Sequence, residues 1–196
     1  MNRDYLGDAL DFWKGAMLDV VRASNGGRRP VKVLPMFTGA RWKRKDRDTY
    51  LALLRANDAD LFDGLLSKND RVTKAERQAY FDAFDAGGAD VFLDPDTGIA
   101  LSRATGQHVR VDEVAPLVSI GNVVAVYQHR PRGDRKGRWL RRYVNAFPAD
   151  DGLKLIGYES AQVGMLFVTR SRERAGRLRR ALYQRLGPTA PDRVVE

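Results

Sequence analysis

Apolar residues recur every three or four positions near the amino terminus. Leu6, Leu10, Trp13, Met17 and Val20 form one stripe through residues 4–23, flanked by Ala9, Ala16 and Val21. That period belongs to an amphipathic helix, and Asn25-Gly26-Gly27 supplies its stop. The pattern then shortens to "VKVLPMFTG", a β-rich run in which Pro35 predicts a bend or an edge position. Residues 46–67 read as helix in two pieces, the first carrying Tyr50, Leu51 and Leu54 and the second Leu61, Phe62 and Leu65. Thr73 and Glu76 fit a capping box, opening a helix that presents Tyr80, Phe81 and Phe84 and stops at Gly87-Gly88.

The second half is richer in strands. Val91–Leu93 reads as a buried strand running into a turn at 94–98, and "NVVAVYQH" at 122–129 as another, its unbroken apolar run suited to a sheet covered on both faces. A short helix capped by Asp112 is predicted over 112–118, and another helix over 138–147. "LKLIGYESAQVGMLFVTR" reads as two strands around a turn. A last helix from Ser171 to Leu186 is expected to bury Ala175, Leu178 and Leu182, with Pro188 and Pro191 marking a loose tail over 188–196. Strands alternating with helices predict a single α/β domain over residues 1–187, built on a mainly parallel sheet with helices on both faces.

Composition narrows the classes. A length of 196 residues, 43% hydrophobic and 30% charged, suits one folded domain and not a disordered chain. The longest apolar stretch, Val114–Tyr127, is broken by Pro116, Ser119, Gly121 and Asn122 and falls short of a membrane span. Asp4, Asp8 and Asp11 do not suit a signal peptide, so a cytoplasmic protein with no membrane partner is expected. The lack of cysteine excludes disulfides and thiolate catalysis. With only His108 and His129 as imidazoles, a metal site would be oxygen-rich, favouring Mg²⁺, Mn²⁺ or Ca²⁺.

The formal charge is +9, and its placement matters more than its sum. "RWKRKDR" at 41–47 holds five basic residues, and "RPRGDRKGRWLRR" at 130–142 holds seven, each following a predicted strand. Basic runs interleaved with aromatics suit single-stranded nucleic acid. Arg41, Trp42, Lys43, Arg44 and Lys45, with Arg130, Arg132, Arg135, Lys136 and Arg138, are therefore the expected nucleic-acid contacts. Trp139 is a further candidate for stacking, or for the core, while the arginines of 170–185 read as a solvated helix face and His108 as exposed.

Three predicted strands end in polar groups: Thr38-Gly39, Asp94-Pro95-Asp96-Thr97-Gly98 and Gln128-His129-Arg130. Ligands of open α/β sheets bind beyond such carboxyl ends. Asp94 and Asp96, separated by one proline, are candidates for an acid–base pair or for ligands of Mg²⁺ or Mn²⁺, and His129 for a general base. The alternative is a plain turn and a structural histidine. Phosphate loops of the G-x-x-x-x-G-K-[ST] and G-x-G-x-x-G types are missing, as is G-x-S-x-G.

From residue 90 to 186, with "FLDPDTG" and a terminal strand pair, the chain resembles the latter half of class I methyltransferases of the Asp-Pro-Pro-Tyr type. The resemblance implies a Rossmann-like, methyltransferase-like domain in which Asp94 and the Pro95 carbonyl hold an exocyclic amine. Asp96 and Thr97 stand where that motif has a proline and an aromatic, and "VKVLPMFTG" lacks the acidic G-x-G of an S-adenosylmethionine loop. "VFLDPDTGI" also resembles the nucleophile motif of haloacid-dehalogenase-like phosphatases, with Gly and Thr exchanged and the motif late in the chain. The leading expectation is metal-assisted phosphodiester hydrolysis by a nuclease-like protein. A divergent methyltransferase and a non-catalytic nucleic-acid-binding protein are the alternatives.

Overall fold

A computed structural model describes residues 5–36, 42–62, 64, 73–131, 138–148 and 152–196. Its main sheet has six strands: β1 (Val31–Pro35), β2 (Asp90–Asp94), β5 (Val124–His129), β6 (Lys154–Glu159), β7 (Val163–Thr169) and β8 (Val194–Val195). They lie in the order β1-β2-β5-β7-β6-β8. β1, β2 and β5 are parallel neighbours, while β7 runs against both β5 and β6, and β8 runs against β6. Four of the six strands therefore point one way. β3 (Gly98–Ala100) and β4 (His108–Arg110) form a separate parallel pair.

Alternation along the strands builds two cores. Phe92, Ala125, Tyr127, Met165 and Phe167 face one side, where they meet α1 (Ala9–Ser24), α2 (Arg44–Leu54) and α6 (Arg172–Leu186). Val91, Leu93, Val124, Val126, Leu166 and Val168 face the other, under α3 (Lys74–Asp82), α4 (Val111–Val114) and α5 (Arg141–Val144). Helices thus cover both faces of a mainly parallel sheet, and among the described residues none is long and apolar enough to cross a membrane. Pro35 ends β1 at the sheet edge, where a missing N–H costs no ladder bond.

Local signals mostly act as read. Thr73 and Glu76 close the capping box of α3, α6 starts beside Ser171, whose side chain proves to cap it, and β6 and β7 form the hairpin. Others differ. The second helical piece after α2 is a single 3-10 turn at Asp58–Asp60, after which Leu61 bridges Val33; residues 65–67 lie outside the described ones. α4 begins at Val111, and its boxed partners are Arg110 and Glu113, not Asp112. The helix read over 138–147 shrinks to Arg141–Val144. The carboxyl-terminal residues are not a loose tail: a 3-10 turn and α7 (Ala190–Arg193) lead into β8, which seats Val195 against β6.

Candidate active site

The polar strand ends meet because β1, β2 and β5 are adjacent and parallel, which puts their carboxyl ends on one edge. Residues two apart on a strand share a face. Asp94 therefore follows Phe92, and His129 follows Tyr127, toward the α1 side. Asp94, Asp96 and His129 line one cavity of about 530 Å³, together with Asp8, Asp11, Lys14 and Tyr127. Thr38 and Gly39 lie outside the described residues.

Asp94 is fully buried, and its Oδ2 accepts hydrogen bonds from Lys14 Nζ at 3.0 Å and from the Tyr50 hydroxyl at 2.6 Å. Lys14 Nζ also donates to Asp11 Oδ1 at 3.0 Å and lies 4.4 Å from the centre of the Tyr127 ring. Asp11 is held in turn by the Gly7 N–H, and Asp8 caps α1 by accepting from Leu10 and Asp11. The ammonium is thus bridged between two carboxylates. A charge in so dry a place needs such partners.

Helix packing brings these groups together. A Cβ on Gly15 would lie 2.2 Å from the Leu53 carbonyl oxygen, so only glycine lets α1 and α2 approach this closely. That approach carries Lys14 from α1 and Tyr50 from α2 onto the end of β2.

The turn after β2 is locked to β5. Gln128 Oε1 accepts from the Ile99 N–H at 2.6 Å, and its Nε2 donates to the carbonyls of His129 and Thr97. Gly98 has φ +119°, and a Cβ there would sit 2.4 Å from Gln128 Oε1. Asp96 is half-buried and accepts from Gln107 Nε2 at 3.2 Å.

Burial and charge set the protonation states. Burial alone would lower the Lys14 pKa, but the charges of Asp94 and Asp11 and the hydrogen bonds to both hold it above the ordinary lysine value. Asp11 is pushed up, chiefly by burial. Tyr50 is raised well above a normal phenol by burial and then by the Asp94 charge. His129 is lowered, first by burial and then by Lys14, so its ring is neutral at neutral pH. Its Nε2 meets the Tyr127 hydroxyl at 3.1 Å.

The expected basic contacts divide. Lys43, Arg44 and Lys45 are exposed at the start of α2, two turns before Tyr50. Arg130 follows His129 and donates to the Ala161 carbonyl at 3.0 Å; Arg138 is exposed, its N–H donating to Glu159. Arg41, Arg132, Arg135 and Lys136 lie outside the described residues. Trp42 requires a correction: it is 7% exposed and packs edge-on against Tyr50, so it serves the core and offers no face to a base. Trp139 is likewise buried, its Nε1 donating to the Ser160 carbonyl. His108 is half-buried, not exposed, and pairs with Thr105.

Lys14, Asp11, Tyr50 and Tyr127 carry no functional role in the sequence reading. One signal marks them: Lys14 stands four residues after Leu10 and three before Met17, on the apolar stripe itself. A lysine there must find a buried counter-charge.

The divalent ion expected at Asp94 and Asp96 meets a different arrangement. Lys14 occupies the place between Asp11 and Asp94 that a bridging cation would take. Among the described residues no group of three or more His, Asp or Glu side chains is arranged to hold a metal. This donor set does not fit a metal at Asp94.

Fold and site together define a mixed α/β protein with a lysine–aspartate pocket at the carboxyl edge of its sheet. No protein-family model, curated protein or solved structure matches the chain.

Proposed function

We propose that this protein is a nucleic-acid-directed enzyme that hydrolyses phosphodiester bonds. The observation carrying this reading is that Asp96, His129 and the Lys14–Asp94 pair share one pocket at the sheet edge, with Arg130 in the hollow beside it. In the tautomer that donates Nε2–H to the Tyr127 oxygen, Nδ1 of His129 is the basic nitrogen. It takes a proton from water as the water oxygen bonds to phosphorus, and returns it to the departing ester oxygen as that P–O bond breaks. Asp96 orients the water. Lys14, fixed by Asp94 and Asp11, supplies a positive charge inside the pocket.

The test is cleavage of end-labelled single-stranded DNA and RNA, with and without EDTA. The wild type cuts in both conditions, His129→Ala cuts at least about 100-fold more slowly, and the acid limb of the pH–rate profile falls below the ordinary histidine value. Failure to cut any strand, or full activity of His129→Ala, rejects hydrolysis. Strand binding without cleavage supports a non-catalytic binding protein instead. Activity that requires Mg²⁺ or Mn²⁺ would return a metal to Asp96 and its neighbours.

A second reading rests on strand order. The sequence β2-β5-β7-β6, with β7 reversed, supports a Rossmann-like sheet of the methyltransferase type. Asp94 and the Pro95 carbonyl would then hold an amine. Against it, Asp94 is engaged by Lys14 and Tyr50, and the residues after β1 lack an acidic G-x-G, a poor fit to S-adenosylmethionine. Calorimetry with S-adenosylmethionine decides this: heat of binding favours the second reading, and none dismisses it.

A further inference from the structure

Thr97 and His129 have two sides. On one lies the pocket described above, lined by Asp8, Asp11, Asp94 and Asp96 with Lys14 as its cation. On the other lies a second hollow of about 580 Å³, to which Thr97 and His129 also belong. Among the described residues its charged and titratable lining is Arg103, Arg130, Arg142, His108, His129 and Tyr143, without an aspartate or glutamate. One imidazole therefore forms part of the wall between an acidic chamber and a basic one.

We propose that the basic hollow is a phosphate-binding subsite, which takes a backbone phosphate of the strand and presents it to His129. The proposal rests on the hydrolytic reading for the role of His129, but the site itself stands on its lining. Three guanidinium groups around one concavity favour phosphate over any cation or neutral ligand. Two of them are held in place: Arg130 donates to the Ala161 carbonyl at 3.0 Å, and Arg142 donates to the Tyr143 hydroxyl at 3.0 Å with its guanidinium 5.0 Å from that ring's centre. Anchored donors lose little freedom on binding. His108 is oriented by Thr105 Oγ1 at 2.9 Å. Beside the first pocket, where carboxylates offset the charge of Lys14, the basic side is the stronger place for a phosphate to dock against His129.

Fluorescence anisotropy with a labelled single-stranded oligonucleotide tests this in the intact 196-residue chain. Arg103→Glu/Arg142→Glu and the milder Arg103→Gln/Arg142→Gln alter exposed side chains, so both variants keep the fold available for comparison. Arg172→Glu, an exposed position at the start of α6 and thus at the opposite edge of the sheet, is the control. The double charge reversal is expected to weaken binding at least about tenfold and to reduce the slope of log affinity against log salt by about 1.4, as loss of two phosphate contacts on a single strand requires. The glutamine pair shows a smaller loss and the control none. An uncharged methylphosphonate strand binds no better to wild type than to the double variant. Competition by inorganic phosphate at millimolar concentration identifies free phosphate as a ligand of the same subsite; its absence, with strand binding intact, identifies the backbone phosphate.

Undiminished binding by both double variants, or an equal loss in Arg172→Glu, overturns the subsite. The two readings also fail separately. Salt-sensitive binding at Arg103 and Arg142 without cleavage sinks hydrolysis and keeps the subsite. Cleavage with unaltered binding in the double variants does the reverse.

Discussion

Asp94 shows how one side chain acquires meaning from its surroundings. An isolated carboxylate at a strand end would be hydrated; here it is fully buried and held by an ammonium and a phenol. Replacing Lys14 by Met strands that carboxylate, an error of the kind that costs about 3–5 kcal/mol. Lys14→Met is therefore expected to melt well below wild type in a thermal scan, and Lys14→Met/Asp94→Asn to recover most of the loss. Equal stability of Lys14→Met and wild type would rule out the buried pair. The pH dependence has a defined sign. The Lys14 pKa is raised, so its contribution is whole below the ordinary lysine value and fades only as pH climbs through the raised one.

Among elements, the join between α1 and α2 decides whether the site exists. Gly15→Ala forces a methyl against the Leu53 carbonyl and must part the helices, an overpacking cost of about 1–3 kcal/mol. Gly176→Ala on α6 meets nothing nearer than the Arg180 side chain at 3.8 Å, and is expected to gain up to about 1 kcal/mol of helix propensity. Opposite shifts in melting temperature for the two alanines would check both claims. What was readable from sequence here was local: the Thr73 box, the start of the last helix at Ser171, the hairpin, and the polar groups at the strand ends that carry Asp94 and His129. The approach of α1 to β2 was not readable, because Lys14 and Asp94 are 80 residues apart and no periodicity reports on distance. Trp42 misled for a related reason. Arginines and lysines around an indole look like a stacking surface until Tyr50 is known to lie against it.

At the scale of the molecule, the two ends of the sheet are closed differently. β1 ends at a proline, and β6 is covered by the two-residue β8. Truncation after Arg193 removes β8 and exposes the surface under Val195, costing about 1.5–3 kcal/mol. It also leaves part of β6 as an open edge. The shortened protein is expected to melt lower and to associate at high concentration in light scattering; a monomer with wild-type melting would show that β8 contributes nothing. The alternation of strands and helices made the mainly parallel sheet legible, while the place of β8 was hidden behind Pro188 and Pro191, which read as punctuation and not as a path back to the sheet.

β2 carries a buried carboxylate at each end. Asp94 draws in Lys14 from 80 residues upstream, and Asp90 draws in Arg174 from 84 residues downstream, at 2.7 Å. The two closures together reach from residue 14 to residue 174, whereas β6 and β7 meet across a short turn. Long loops are the slower to close, since their entropy must be surrendered before any contact is gained. The strand that anchors the pocket is thus itself fixed late: residues 14 to 174 must all be in place before both of its ends are paired, so a chain still emerging from synthesis holds the pocket on a strand secured at one end only.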